Sequence, residues 1–186
     1  DDLERIATNF GPENIAACIV EPIAGSTGTL VPPKGYLQKL RETCDKHGIL
    51  LIFDEVITGW GRTGSSFASI EYGVTPDIMT MAKATTNGVV PMGVVACKDE
   101  IYDSVMDASP MGSVELFHGY TYSGIPVAVA AALAVQDIFE KEDIFERAKN
   151  LAPYFQKGLF SLQDLESVEN IRGYGMMGGI DMKLNT

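Results

Sequence analysis

Histidine, tryptophan and cysteine are scarce in this 186-residue chain: two, one and three respectively. His47 and His118 have no partner at metal-ligand spacing, which excludes a His-based metal centre. Cys18, Cys44 and Cys97 form no CxxC pair, and an odd count at wide spacing excludes a disulfide framework. All three read as reduced packing residues. Positive charge is also short, with 14 Lys and Arg against 25 Asp and Glu and a net charge of −11. With no basic tract, nucleic acid is excluded as a partner. No apolar run approaches the ~20 residues of a membrane span, and Asp1-Asp2-Leu3-Glu4 is no signal peptide. The cytoplasm is the simplest compartment. There is no initiator Met and the chain stops soon after a predicted strand, so it reads as a piece of a longer protein.

What is present is core-forming sequence, 46% hydrophobic with 19 glycines. Residues 3–9 read as a helix. Ile15 to Ile23 is a continuous apolar run, predicting a strand buried on both faces. Pro32-Pro33-Lys34-Gly35 opens a helix with Leu37, Leu40 and Cys44 on one face, ended by Gly48. The next strand spans Ile49 to Val56. Strand, helix, strand within ~40 residues is a βαβ unit with parallel strands and a right-handed crossover. A Gly-rich loop (58–66), a short helix, a strand running to Lys83 and a strand from Val89 to Cys97 follow. Helices are expected at 99–107, 126–140 and 142–160. The Val127 to Val135 stretch of the second suggests burial, and Pro153 should kink or break the third. Ile171 to Met182 reads as one last strand. The change from strand-rich to helix-rich sequence divides the chain into 1–140 and 141–186.

The chemistry gathers where two apolar runs end in opposite charge. Ile49 to Phe53 ends in Asp54-Glu55, and Ile78 to Ala82 ends in Lys83. In open α/β sheets ligands sit beyond the carboxyl ends of the strands. A lysine there can form a Schiff base, and a carboxylate can hold a cationic ring. Asp54 suits equally a helix N-cap or a metal ligand, and Lys83 alone suits a strand-end lysine reaching for water. A buried lysine is costly unless paired or neutralised, and two charges on neighbouring strand ends answer that cost. Gly59-Trp60-Gly61-Arg62-Thr63-Gly64 matches the dinucleotide fingerprint. However, five residues separate it from the strand, and the next strand ends in Lys83 rather than a ribose-binding acid. These glycines read as shaping a loop beside the site. His118 to Pro126 offers hydroxyls and backbone amides ahead of a helix, suited to phosphate or to plain capping. Arg172 reads as pairing a structural acid in preference to clamping a substrate carboxylate.

Five stretches, VEPIAGSTGTLVPPKGYL (20–37), LLIFDEVITGWGRTG (50–64), GVTPDIMTMAKATTNG (73–88), FHGYTYSGIPVA (117–128) and IRGYGMMGG (171–179), together resemble the class III (ω-type) aminotransferases. The wording is most similar to the β-alanine/ω-amino acid–pyruvate branch. The resemblance implies an α/β fold, the large domain of a fold type I pyridoxal-phosphate transferase. A mostly parallel sheet of the seven-stranded type would be present here in part, over 1–140, with the start of an α+β small domain over 141–186. It implies that Lys83 forms the Schiff base with pyridoxal 5′-phosphate and then acts as general base. Asp54 would bind the pyridinium nitrogen, Val56 would pack on the ring, and Thr121 would contact the phosphate from the neighbouring subunit of a homodimer. Glu21 would be a supporting acid. Small-molecule amino donor and keto acid, pyruvate first, would be the substrates. Other pyridoxal-phosphate enzymes, aminomutases and decarboxylases, share the Asp54 and Lys83 chemistry. A nicotinamide dehydrogenase and a non-catalytic module are the alternatives from outside that class. The chain departs from the family at Ile125, where His or Asn is common, and at Ala84-Thr85, where Gly-Leu is usual. The family's N-terminal phosphate loop, its stacking aromatic and its substrate-carboxylate arginine have no counterpart here.

Overall fold

The computed structural model describes residues 2–112, 114, 116 and 118–183. Helix α1 (Asp2–Phe10) leads to β1 (Ala17–Val20), α2 (Tyr36–His47), β2 (Leu50–Asp54), the short α3 (Ala68–Tyr72) and β3 (Ile78–Met81). Then come β4 (Val94–Cys97), α4 (Asp99–Asp107), α5 (Pro126–Lys141), α6 (Ile144–Phe160), β5 (Val168–Tyr174) and β6 (Met177–Met182). One sheet has the order β1-β2-β3-β4, and β5 and β6 form a second, two-stranded sheet. β1, β2 and β3 are parallel, with Val20 beside Phe53 and Asp54 beside Thr80; β4 runs antiparallel to β3. The parallel βαβ reading therefore holds, and its last strand is reversed.

Alternation along β2 sets the core. Leu51 and Phe53 point to the face covered by Ala7 of α1 and Leu37, Leu40 and Cys44 of α2, with Ile49 and Val74 closing the cluster. Each fully buried aliphatic or aromatic side chain contributes about 1.5–3 kcal/mol there. Gly48 ends α2 in the left-handed conformation, φ 67°, with its N–H on the Cys44 carbonyl.

The amino-terminal end of β3 is pinned by Asp77. Its carboxylate accepts from the Leu51 N–H (2.7 Å) and pairs with Arg41 (2.8 Å) and Lys98 (2.7 Å). Burial opposes ionisation of Asp77, but the donors Lys98, Leu51 N–H and Arg41 outweigh it and hold its carboxyl below the ordinary 3.8.

Several expectations are corrected. β1 is short and lies at the sheet edge with Ile19 62% exposed, so the run 15–23 is not a strand buried on both faces. Its apolar excess instead supplies Pro22 and Ile23, buried in the following turn. The strand expected from Val89 begins at Val94, because Pro91 lacks a ladder donor. α2 begins at Tyr36, after a left-handed Gly35. α5 buries only Ala128, Ala132 and Val135, a single i, i+4, i+7 face, so it is not a buried helix. α6 runs unbroken through Pro153. Ile171 to Met182 is not one strand but most of a hairpin that turns at Gly175, φ 58°. Cys97 is exposed on the antiparallel edge strand and so is no packing residue; Cys44 is buried and Cys18 partly so. Burial raises the Cys44 thiol to about 11.

The hairpin returns to the early loops. The Met176 N–H donates to the Arg62 carbonyl (2.8 Å), and a Cβ on Gly175 would fall 2.5 Å from that same oxygen. Arg172 donates to the Gly28 carbonyl (2.7 Å) and pairs bidentately with Asp181 (2.5 and 2.8 Å). These three bonds make this arginine a structural pair, as expected, and the Asp181 carboxylate raises its pKa.

Candidate active site

The carboxyl ends of β1, β2 and β3 carry Glu21, Asp54 and Lys83. Asp54 and Glu55 are adjacent, and the structure separates their roles. Glu55 falls on the Phe53 side and is fully buried. Its carboxylate accepts from the Thr58 hydroxyl (2.9 Å) and from the N–H groups of Ala68 and Ser69 (both 2.7 Å) at the start of α3. It is a helix-capping acid with its valences filled. Asp54, on the other face and partly buried, accepts only the Val56 N–H, at Oδ1 (3.0 Å). Its second oxygen has no partner among the described residues. From sequence Asp54 suits a cofactor acid, a helix N-cap or a metal ligand; the capping acid is its neighbour Glu55.

Lys83 stands three residues beyond Thr80, the register partner of Asp54. The strand ends at Met81, short of the lysine, and Lys83 opens a single turn of 3-10 helix, Lys83–Thr85. Two expectations about it are corrected: the strand does not reach it, and it is exposed, so no burial penalty acts on its amine. Among the described residues no carboxylate pairs with it. Its backbone is left-handed, φ 49°, a conformation that costs a non-glycine residue about 1 kcal/mol or more.

Val56 lines a cavity of about 510 Å³ together with Thr80, Met81, Tyr120, Tyr122 and Ile125. The turn 120–124 thus closes on the same end of the sheet, with the Tyr120 N–H on the Ser123 hydroxyl (3.0 Å). Thr121 is exposed and does not line this cavity. His118 is exposed and stacks edge-on against Tyr120 at 5.3 Å. Phe117 of the same motif lies outside the described residues. Glu21 spends one oxygen on the Gly25 N–H (3.0 Å), holding the loop after β1.

The Gly59 to Gly64 loop does not lead straight into a helix as a dinucleotide loop does; α3 starts only at Ala68. Its glycines serve packing instead. Gly61 faces Phe145 and Ala148, and Gly64 faces Lys149, all on α6. Trp60 packs on Phe67 (5.1 Å) and Phe139 (5.7 Å) and donates to the Thr85 hydroxyl (3.1 Å). Sequence reading missed this link; the only signal was the hydroxyl at 85, where the resemblance leads one to expect leucine.

An acid and an amine without ion-pair partners among the described residues, at and just beyond neighbouring strand ends, fit a cofactor that needs one anchor of each kind. Comparison with known proteins shows the family. The family model for aminotransferase class-III matches residues 1–186. An omega-aminotransferase of Caulobacter vibrioides is 54% identical over 98% of this chain and 42% of its own. A beta-alanine–pyruvate aminotransferase of Pseudomonas aeruginosa is 55% identical over 98% of this chain and 41% of its own. The crystal structure of an (S)-enantioselective omega-transaminase from Thermomicrobium roseum superposes with a TM-score of 0.91 at 44% identity, covering 97% of this chain and 40% of that one. The chain therefore spans about two-fifths of the length of the relatives it matches. With the matched motifs at the carboxyl end of a partial parallel sheet, the chain belongs to the class III aminotransferases, a family of pyridoxal-phosphate enzymes.

Proposed function

We propose that the full-length protein carrying this chain is an aminotransferase that moves an amino group from an ω-amino acid or amine to a keto acid, pyruvate first. The observation that carries this is an acid with an open oxygen, Asp54, at the end of β2 and an amine, Lys83, two residues past the end of the adjacent parallel β3, neither spent on an ion pair among the described residues. The names of the relatives, which specify pyruvate and ω-amino substrates, supply the substrate class.

Bound at this end of the sheet, pyridoxal phosphate would supply an electron sink for the substrate carbon that gives up its proton. Asp54 would keep a proton on the pyridinium nitrogen through the oxygen that has no partner among the described residues. Lys83 provides the nitrogen that holds the cofactor at rest. Its amine would also be the base that moves the proton at the substrate carbon. Val56, on the cavity wall, would pack against the ring. Thr121 faces outward, as suits a residue that meets the phosphate of a neighbouring copy in a homodimer. Glu21 supports the site by holding the loop through Gly25. The cytoplasm is the proposed compartment; among the described residues no helix is long and apolar enough to cross a membrane.

The test is borohydride reduction of the protein with pyridoxal phosphate, followed by peptide mapping. The expected label is on Lys83. Label on Lys34, on Lys98 or on no lysine overturns the reading.

A further inference from the structure

The turn that carries Lys83 is held by a relay of hydrogen bonds that starts at the only tryptophan in the chain. The Trp60 indole N–H donates to Thr85 Oγ1 (3.1 Å), and that hydroxyl donates to the Ala82 carbonyl (3.0 Å). The Thr85 N–H donates to the same carbonyl (3.0 Å), so Thr85 grips the residue before Lys83 twice. On the other side, the Gly88 N–H donates to the Lys83 carbonyl (3.2 Å). Thr85 is 3% exposed, so its hydroxyl has little recourse to water. Trp60 is fixed in turn. Its ring lies against Phe67 and Phe139, Phe139 meets Phe145 (5.4 Å), and its backbone N–H donates to the Ser66 carbonyl (2.6 Å). The relay therefore joins a rigid aromatic cluster, built from the Gly-rich loop and helices α5 and α6, to the strained residue at φ 49°. A left-handed lysine persists only where its surroundings over-determine it.

We propose that Trp60 and Thr85 are positioning residues for the cofactor-binding lysine: the indole N–H fixes the Thr85 hydroxyl, and Thr85 fixes the Ala82 carbonyl, so that Lys83 keeps its left-handed backbone. This assignment rests on Lys83 being the lysine that condenses with pyridoxal phosphate. In that condensation the lysine nitrogen bonds to the aldehyde carbon and water leaves. Cyanoborohydride then delivers hydride to the C=N carbon, leaving a stable secondary amine that mass spectrometry counts.

The experiment traps limiting pyridoxal phosphate on the full-length protein with cyanoborohydride and compares label on Lys83 with label on exposed Lys34 and Lys141 of the same molecules. T85V keeps the shape of the side chain and removes the hydroxyl. It is expected to lower the Lys83 share about fivefold, the size of one net intramolecular hydrogen bond, and T85S is expected to restore it. W60F keeps an aromatic ring and removes the donor, and it is expected to act like T85V; it decides the matter alone if T85V does not fold. A wild-type Lys83 share in the folded variant overturns the positioning role while leaving Lys83 as the attachment point. Absence of label from Lys83 in the unaltered protein overturns the attachment itself, and the positioning role with it.

Discussion

The two ends of the β2–β3 pair are built on opposite rules. At the amino end of β3, Asp77 is 7% exposed, and its carboxylate has a backbone N–H, a guanidinium and an ammonium. At the carboxyl end, Asp54 has a single backbone N–H, and Lys83 has no acid partner among the described residues. The same two strands thus carry one acid whose bonding capacity is used up by the fold and another whose capacity is left over. A carboxylate that is saturated stabilises; one that is not can take a ligand. The lesson is that position at a strand end does not separate the two kinds, and hydrogen-bond satisfaction does.

Five changes put that contrast to the test. The largest effect is expected from Lys83→Ala, which should abolish amino transfer while leaving the thermal midpoint unchanged, since the exposed side chain holds nothing in place. Steady-state assay and calorimetry on one preparation check both halves. Asp77→Ala should do the reverse. Removing one member of this buried ion cluster should cost about 3 kcal/mol in a denaturant titration, with turnover per folded molecule retained. Asp54→Asn should keep part of the cofactor binding and lose about a hundredfold in rate, with no comparable loss of stability. A large stability loss there would erase the difference between the ends.

A smaller effect is expected from acid. The Asp77 carboxyl titrates below its ordinary value in the folded chain. Its stabilisation is therefore complete above the unfolded value near 3.8 and is lost as the pH falls through the lower folded value. Stability measured from pH 5 downward should decline, and the decline should be shallower in Asp77→Asn. The smallest effect is expected from Asp181→Asn. Asp181 meets Arg172 at an exposed position, and its loss should leave both activity and unfolding nearly unchanged.

Much of this architecture was legible in the sequence. The period of Leu37, Leu40 and Cys44 marked the buried face of α2, and Gly48 marked its end, because both signals are local. The two charged strand ends also followed from local apolar runs. What was not legible depended on contacts made from far away. The exposure of Ile19 reflects an edge position in the sheet, which the run 15–23 does not encode. The unbroken α6 around Pro153 is a tertiary override of local preference, and the hairpin hidden in 171–182 turned on a single glycine amid apolar residues. The distinct roles of Asp54 and Glu55 were within reach: strand alternation puts Glu55 on the side of Phe53, hence inward, and Asp54 on the other. The Trp60–Thr85 bond was out of reach, because nothing local joins residues 25 apart in sequence.

The hairpin adds a consequence for biosynthesis. The Gly28 carbonyl receives its guanidinium from a residue 144 positions later, and the Arg62 carbonyl likewise waits for the N–H of Met176, far along the chain. A ribosome delivers the early loops long before their clasp. During that interval the nascent chain must carry both turns unfastened, and contacts of such separation are the slow ones to close.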